Sequence, residues 1–205
     1  DHNEDYFSCT AIGESVLFVV ADGMGGHDAG EVASKLAVET VCKEIGHSMK
    51  RDHDPLKLIE RALQKANGEV VREGTSKGSN MGTTLNAALV IHDRAYGASV
   101  GDSRVYRIEN GSIKQITEDH SLVAKLVSVG KLSREEARNH PKSNLLYRTI
   151  GSEPTIKVDT FQVGLKKGGS PLLCTDGLWG EVADDEIYRV CSAEKNVKSA
   201  CVRLI

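Results

Sequence analysis

The sequence predicts an α+β domain built on antiparallel strands and covered by amphipathic helices. Three observations lead there. An apolar, β-branched run from Val16 to Ala21 ends abruptly in Asp22-Gly23-Met24-Gly25-Gly26, which reads as a buried strand entering a turn. Two long stretches with helical apolar spacing follow it back to back. Four strand-like segments then come in quick succession, joined by links short enough to favour antiparallel pairing.

Each element has its own signal. Asp5 to Ala11 and Ser15 to Ala21 are expected strands joined by a turn at Gly13, with Asp22 at the second strand's end. A helix is expected from about Gly30 to Ile45, where Val32, Ala33, Leu36, Ala37, Val41 and Ile45 fall on one face. Asp54-Pro55 starts a second helix as N-cap and first helical residue. Leu56, Ile59, Leu63, Ala66 and Val70 line it, and Gly74 is expected to close it. Two such faces in a row need a common surface, and a sheet supplies one.

Thr75 to Asn80 reads as a loop. Strands are expected over Thr83 to Ile91, Ala95 to Val100, Ser103 to Glu109 and Ser112 to Thr117, with Asn110-Gly111 as a hairpin turn. Asp119 to Asn144 interrupts this rhythm. Its pattern predicts a helix from Ser121 to Val129, a stop at Gly130 and a second helix at Ser133, where Glu136 completes a capping box. Such a helical insertion between strands suits a mobile flap. Strands over Val158 to Val163 and Pro171 to Thr175 follow, then helix from Asp184 to Ile205.

Composition narrows the function. The 205 residues form one domain with a sizeable core. A net charge of −3 leaves no footprint for nucleic acid. No apolar run reaches the roughly 18 residues of a membrane span. Five widely spaced cysteines without a Cys-x-x-Cys pair suit reduced thiols in the cytoplasm.

The chemistry lies in acids at the edges of apolar segments. Asp22 is one; Glu4-Asp5, Gly101-Asp102-Ser103 and Thr175-Asp176-Gly177 are the others. Any single Asp-Gly suits a hairpin turn. Several acids brought together repel strongly unless cations stand between them. Carboxylates beside bare backbone carbonyls suit Mg²⁺ or Mn²⁺, which take oxygen ligands in octahedral geometry. Two such ions roughly 3.5–4 Å apart would bridge a hydroxide and lower its pKa toward neutrality, ready for in-line attack on phosphorus. No protein nucleophile is then needed. Cys174 sits in an apolar segment without a Cys-x₅-Arg cradle and reads as a core thiol. The glycine loop matches neither a dinucleotide fingerprint nor a nucleoside triphosphate loop.

Taken together, Asn3-Glu4-Asp5, Val20 to His27, Met81-Gly82-Thr83-Thr84, Val100 to Tyr106, Thr117 to Ser121 and Leu173 to Trp179 resemble the protein phosphatase 2C family. These are the metal-dependent protein serine/threonine phosphatases, and the likeness is to bacterial members. The resemblance implies a four-layer αββα sandwich, two antiparallel β-sheets flanked by α-helices. It also implies two core Mn²⁺ or Mg²⁺ ions and a third, weaker position. Asp22 is then expected to bridge the core metals, the Gly23 carbonyl to bind one, and Asp176 the other. Glu4 is expected to hold a metal-bound water, with Asp5 supporting the site. Asp102, with Asp176, matches the third position.

Residues 117–151 match the flap that shapes substrate access. Met24 stands where many relatives place a general-acid histidine, so metal-bound water is expected to supply the leaving-group proton. His27 is expected to be structural, while His2 and His120 have no assigned role. The implied substrates are phosphoproteins of a partner serine/threonine kinase, including the kinase itself, and the protein is expected to be a monomer. An upstream phosphate-binding arginine and a late Gly-x-Asp-Asn ligand are not in the chain, so truncation at both ends is expected. The alternative reading is an inactive phosphatase-fold module that binds or regulates.

Overall fold

A computed structural model describes residues 3–25, 28–109 and 111–205. Strands β1 (Asp5–Ile12), β2 (Ser15–Met24), β3 (Gly82–Thr83), β4 (Leu85–Ile91), β5 (Arg94–Val100) and β8 (Asp159–Gly164) form the larger sheet. Its order is β1-β2-β4-β5-β8, with β3 paired to the end of β2. Strands β6 (Arg104–Glu109), β7 (Ser112–Gln115) and β9 (Ser170–Cys174) form the smaller sheet in the order β7-β6-β9. All pairings are antiparallel. Two sheets with helices on their outer faces make the expected sandwich.

Helices α1 (Asp28–Ser48) and α2 (Pro55–Lys77) cover the larger sheet. Ala37, Val41 and Ile45 of α1 and Ile59, Leu63 and Val70 of α2 are fully buried with Leu17, Val19, Ala87 and Leu89 of the strands. Alternate strand residues point this way because the strand period is two. Apolar side chains removed from water on this scale are the main stabilising term. Asp54 caps α2 by accepting from the Leu56 and Lys57 amides at 3.1 and 3.2 Å.

Several boundaries differ from expectation. Strand β2 runs through Asp22 to Met24, because Gly23 and Met24 pair with Thr83 and Gly82. Asp22 therefore sits inside the strand. Helix α2 passes through Gly74 and ends at Gly78, which adopts φ 61°. Gly74 meets a different need: a Cβ there would come within 2.9 Å of the Ser79 carbonyl. The strand expected over Thr83 to Ile91 breaks at Thr84, whose amide turns to the Asp22 carbonyl at 2.9 Å.

The insertion contains α3 (Leu122–Ser128) and α4 (Arg134–Arg138), with Ser121 and Ser133 as N-caps. The capping box is present: Glu136 N–H donates to Ser133 Oγ at 3.1 Å, and Ser133 N–H to Glu136 Oε2 at 2.7 Å. The C-terminal helix predicted from Asp184 is two helices, α6 (Asp184–Ala193) and α7 (Val197–Leu204). Asn196 starts the second by accepting from the Ser199 amide. A short helix α5 (Asp176–Trp179) precedes them and was not expected. The expectations for Gly26, His2 and His27, and for Asn110 in its hairpin turn, fall outside the described residues.

Candidate active site

Pairing of β1 with β2 sets Asp5 opposite Asp22. The backbone around Asp22 is pinned. Its amide donates to Thr84 Oγ1 at 2.9 Å, and its carbonyl accepts from Thr83 Oγ1 at 2.8 Å and from the Thr84 amide. Asp5 Oδ2 accepts from Thr175 Oγ1 at 2.9 Å. Thr175 leads directly into α5, whose first residue is Asp176. Strand register and one hydroxyl thus gather acids from three remote parts of the chain.

Gly23 allows the close approach that completes this corner. Its amide donates to the Glu4 carbonyl at 3.1 Å, and Ser34 Oγ donates to the same oxygen at 2.6 Å. A Cβ on Gly23 would overlap the Gly30 carbonyl, and one on Gly30 would overlap Glu4 Oε2. Glu4 therefore joins the site through its backbone, while its carboxylate rests against the first turn of α1.

Electrostatics tie the acids together. Burial, then the charges of Asp5 and Asp176, push the Asp22 carboxyl up to about 8. Asp102 adds to the shift. Asp102 is buried, and burial followed by Asp176 and Asp119 pushes it up to about 7. Asp5 is also raised, by burial first and with Asp176 adding, against the Thr175 hydrogen bond. It keeps one side open to solvent. Burial and the charges of Asp5, Asp176 and Asp102 all act on Asp22 in the same direction.

The donor set fits hard divalent cations. It offers carboxylate oxygens and the Gly23 carbonyl. Among the described residues no three His, Cys, Asp or Glu side chains close on a single point. Mg²⁺-type sites use one or two carboxylates and keep several waters. The hollows lined by Arg107 and Phe161, and by Phe18 and Pro171, contain none of these acids.

Sequence reasoning missed the hydroxyls that hold the acids: Thr83, Thr84, Ser103 and Thr175. Thr84 Oγ1 also meets Ser103 Oγ at 2.6 Å, and Asn86 donates to the Ser103 carbonyl. Their presence beside the acids was visible, but not what they bond to. A second omission is Arg104. Its guanidinium forks onto Asp119 with contacts of 2.7–3.1 Å, donates to Tyr106 at 2.9 Å and lies 3.6 Å from the Trp179 ring centre. Cys174 is buried, and burial pushes its thiol up to about 12, as suits a core residue. Arg138 donates to the Trp179 carbonyl at 3.1 Å.

Comparison with known proteins bears on the family and the fold. The family described as "Protein phosphatase 2C" matches residues 1–196. "Serine/threonine phosphatase stp" of Listeria monocytogenes serotype 4b (strain F2365) is 39% identical over 186 residues, which is 88% of this chain and 73% of that protein. The solved structure of Stp1 from Staphylococcus aureus has a TM-score of 0.89 and 32% identity, and the match covers 100% of this chain and 82% of that one. The catalytic domain of PstP in complex with two manganese ions has a TM-score of 0.84 and 31% identity, over 99% of this chain and 83% of that one. Fold and relatives define the class as a phosphoprotein phosphatase, a hydrolase of phosphoric monoesters. The chain belongs to the protein phosphatase 2C family.

Proposed function

We propose that this serine/threonine phosphatase works with Mn²⁺ or Mg²⁺ held by Asp22, the Gly23 carbonyl and Asp176, with Asp102 at a third, weaker position. Glu4 would orient a water at this corner, and Asp5 would hold Asp176 in place through Thr175. The observation that carries the reading is the mutual crowding of Asp22, Asp5, Asp176 and Asp102. Divalent cations bound there would neutralise phosphoryl oxygens and supply a water nucleophile at neutral pH. The chain's own part is to fix the acids in advance. Thr83 and Thr84 lock the Asp22 backbone, and the β1–β2 ladder sets Asp5 beside it.

We treat residues 1–205 as one phosphatase domain in which 117–151 form a flap that shapes substrate access. A monomer acting in the cytoplasm on the phosphoproteins of a cognate serine/threonine kinase fits this reading. No helix among the described residues is long and apolar enough to cross a membrane. The test is phosphate release from a phosphothreonine peptide with Mn²⁺. Activity should vanish with EDTA and in Asp22→Ala. Undiminished release in EDTA would overturn the metal reading.

A further inference from the structure

His120 has no place in the chemistry above, yet it is almost completely buried and every polar atom it has is engaged. Its amide donates to the Gly101 carbonyl at 2.9 Å. The Gly101 amide donates back to His120 Nδ1 at 3.0 Å. Both polar backbone groups of Gly101 are therefore held by one residue. Gly101 adopts φ 101°, and a Cβ there would come within 2.6 Å of Thr84. The turn is thus wedged between Thr84, which holds Asp22, and His120. The next residue is Asp102.

The ring's tautomer follows from the same contacts. Nδ1 accepts, so in the neutral ring the proton is on Nε2. Burial lowers the pKa of His120 and favours this neutral form. Nε2–H then donates to Asp159 Oδ2, 3.0 Å away on β8. Arg148 Nη1 lies 2.8 Å from Nε2 and 3.1 Å from Asp159 Oδ1. Since Nε2 is itself a donor, the carboxylate is the acceptor for both groups. Tyr147 N–H closes the set by donating to the His120 carbonyl at 3.0 Å. The first and last parts of the insertion and the edge of the larger sheet thus meet on this ring.

We propose that His120 is the positioning residue of Asp102: its Nδ1 clamps the Gly101–Asp102 turn, while its Nε2 anchors the insertion to Asp159. The consequence for metal binding rests on the reading of Asp102 as a ligand; the clamp itself does not. The two halves separate by substitution. In His120→Asn the amide oxygen replaces Nδ1, keeping the Gly101 bond and losing Asp159. In His120→Gln the amide nitrogen replaces Nε2–H, keeping Asp159 and losing the Gly101 bond.

The test uses both variants, with Asp102→Asn as reference and two readouts. The first is amide hydrogen exchange at Gly101 in metal-free protein. It should be about fivefold faster in His120→Gln than in wild type, the size expected for one net hydrogen bond, and within about twofold of wild type in His120→Asn. Equal protection in the two variants, or equal loss, overturns the clamp. The second is Mn²⁺ calorimetry. The weakest Mn²⁺ step should weaken about tenfold in His120→Gln, matching Asp102→Asn in direction, and stay near wild type in His120→Asn. If Asp102→Asn leaves every Mn²⁺ step unchanged, the ligand reading of Asp102 fails, and the exchange readout still decides the clamp.

Discussion

Asp5 and Asp22 face each other across the β1–β2 ladder, two carboxylates held side by side by backbone pairing. Folding alone gathers this negative charge, and the fold bears the cost until cations arrive. Asp22→Asn keeps the shape and removes the charge. The metal-free variant should melt several degrees higher than wild type, at about 2–4 °C per kcal/mol for a chain of this size. Its Mn²⁺-dependent phosphate release should fall at least a thousandfold. Thermal melts in EDTA and a phosphopeptide assay check the two halves.

The same crowding predicts a pH dependence. Asp22 at about 8 and Asp102 at about 7 both lie above their ordinary 3.8. The folded state therefore holds protons that the unfolded chain releases. Their stabilisation is complete below about pH 4 and is lost as pH rises through 7 and 8. Metal-free protein should melt higher at pH 6 than at pH 8.5, and Asp22→Asn should flatten the difference. Added Mn²⁺ should stabilise more at pH 8 than at pH 6, since the ion competes with these protons. Scanning calorimetry across the range reads both effects.

Two glycines separate packing from ligand orientation. In Gly23→Ala the new methyl meets the Gly30 backbone, which has little room to yield. A loss of about 3 kcal/mol or more is expected, the upper range for overpacking. In Gly30→Ala the first obstacle is the end of the Glu4 side chain, which can swing away, and the second is the Gly23 backbone at 2.9 Å, which must shift slightly. That variant should lose less stability than Gly23→Ala and release phosphate more slowly at low Mn²⁺. Urea melts together with Mn²⁺-dependence curves distinguish the two.

Asp119→Asn tests the support beneath α5. Arg104 and Asp119 are nearly buried, with side-chain exposures of 15% and 8%. Removing one partner strands the other charge, at about 3–5 kcal/mol. Because Arg104 also stacks on Trp179, at the other end of α5 from Asp176, Mn²⁺ affinity should fall along with stability. Calorimetry on the folded variant checks this second effect.

Much of the fold was readable because its signals are local. The β-branched run of β2, the apolar stripe of α2 and the Ser133 capping box each declare an element within a few residues. Boundaries failed where a distant partner decides them. Met24 belongs to β2 only because Gly82 lies beside it, and Gly74 stays helical because its needs are met by packing. The acids of the site were visible as residue types at segment edges. The hydroxyls of Thr84 and Thr175 and the double clamp of His120 on Gly101 join residues 19 to 170 positions apart. No spacing rule carries such pairings.

Asp22 and Asp176 should together hold a pair of divalent cations. Anomalous scattering at the manganese edge from crystals grown with Mn²⁺ tests it most directly. Peaks should lie about 2.1 Å from a carboxylate oxygen of Asp22 and from the Gly23 carbonyl, the distance for octahedral oxygen ligation, with Asp176 on a neighbouring peak. Crystals saturated with Mn²⁺ that show peaks only away from Asp22 and Asp176, or none, would contradict it.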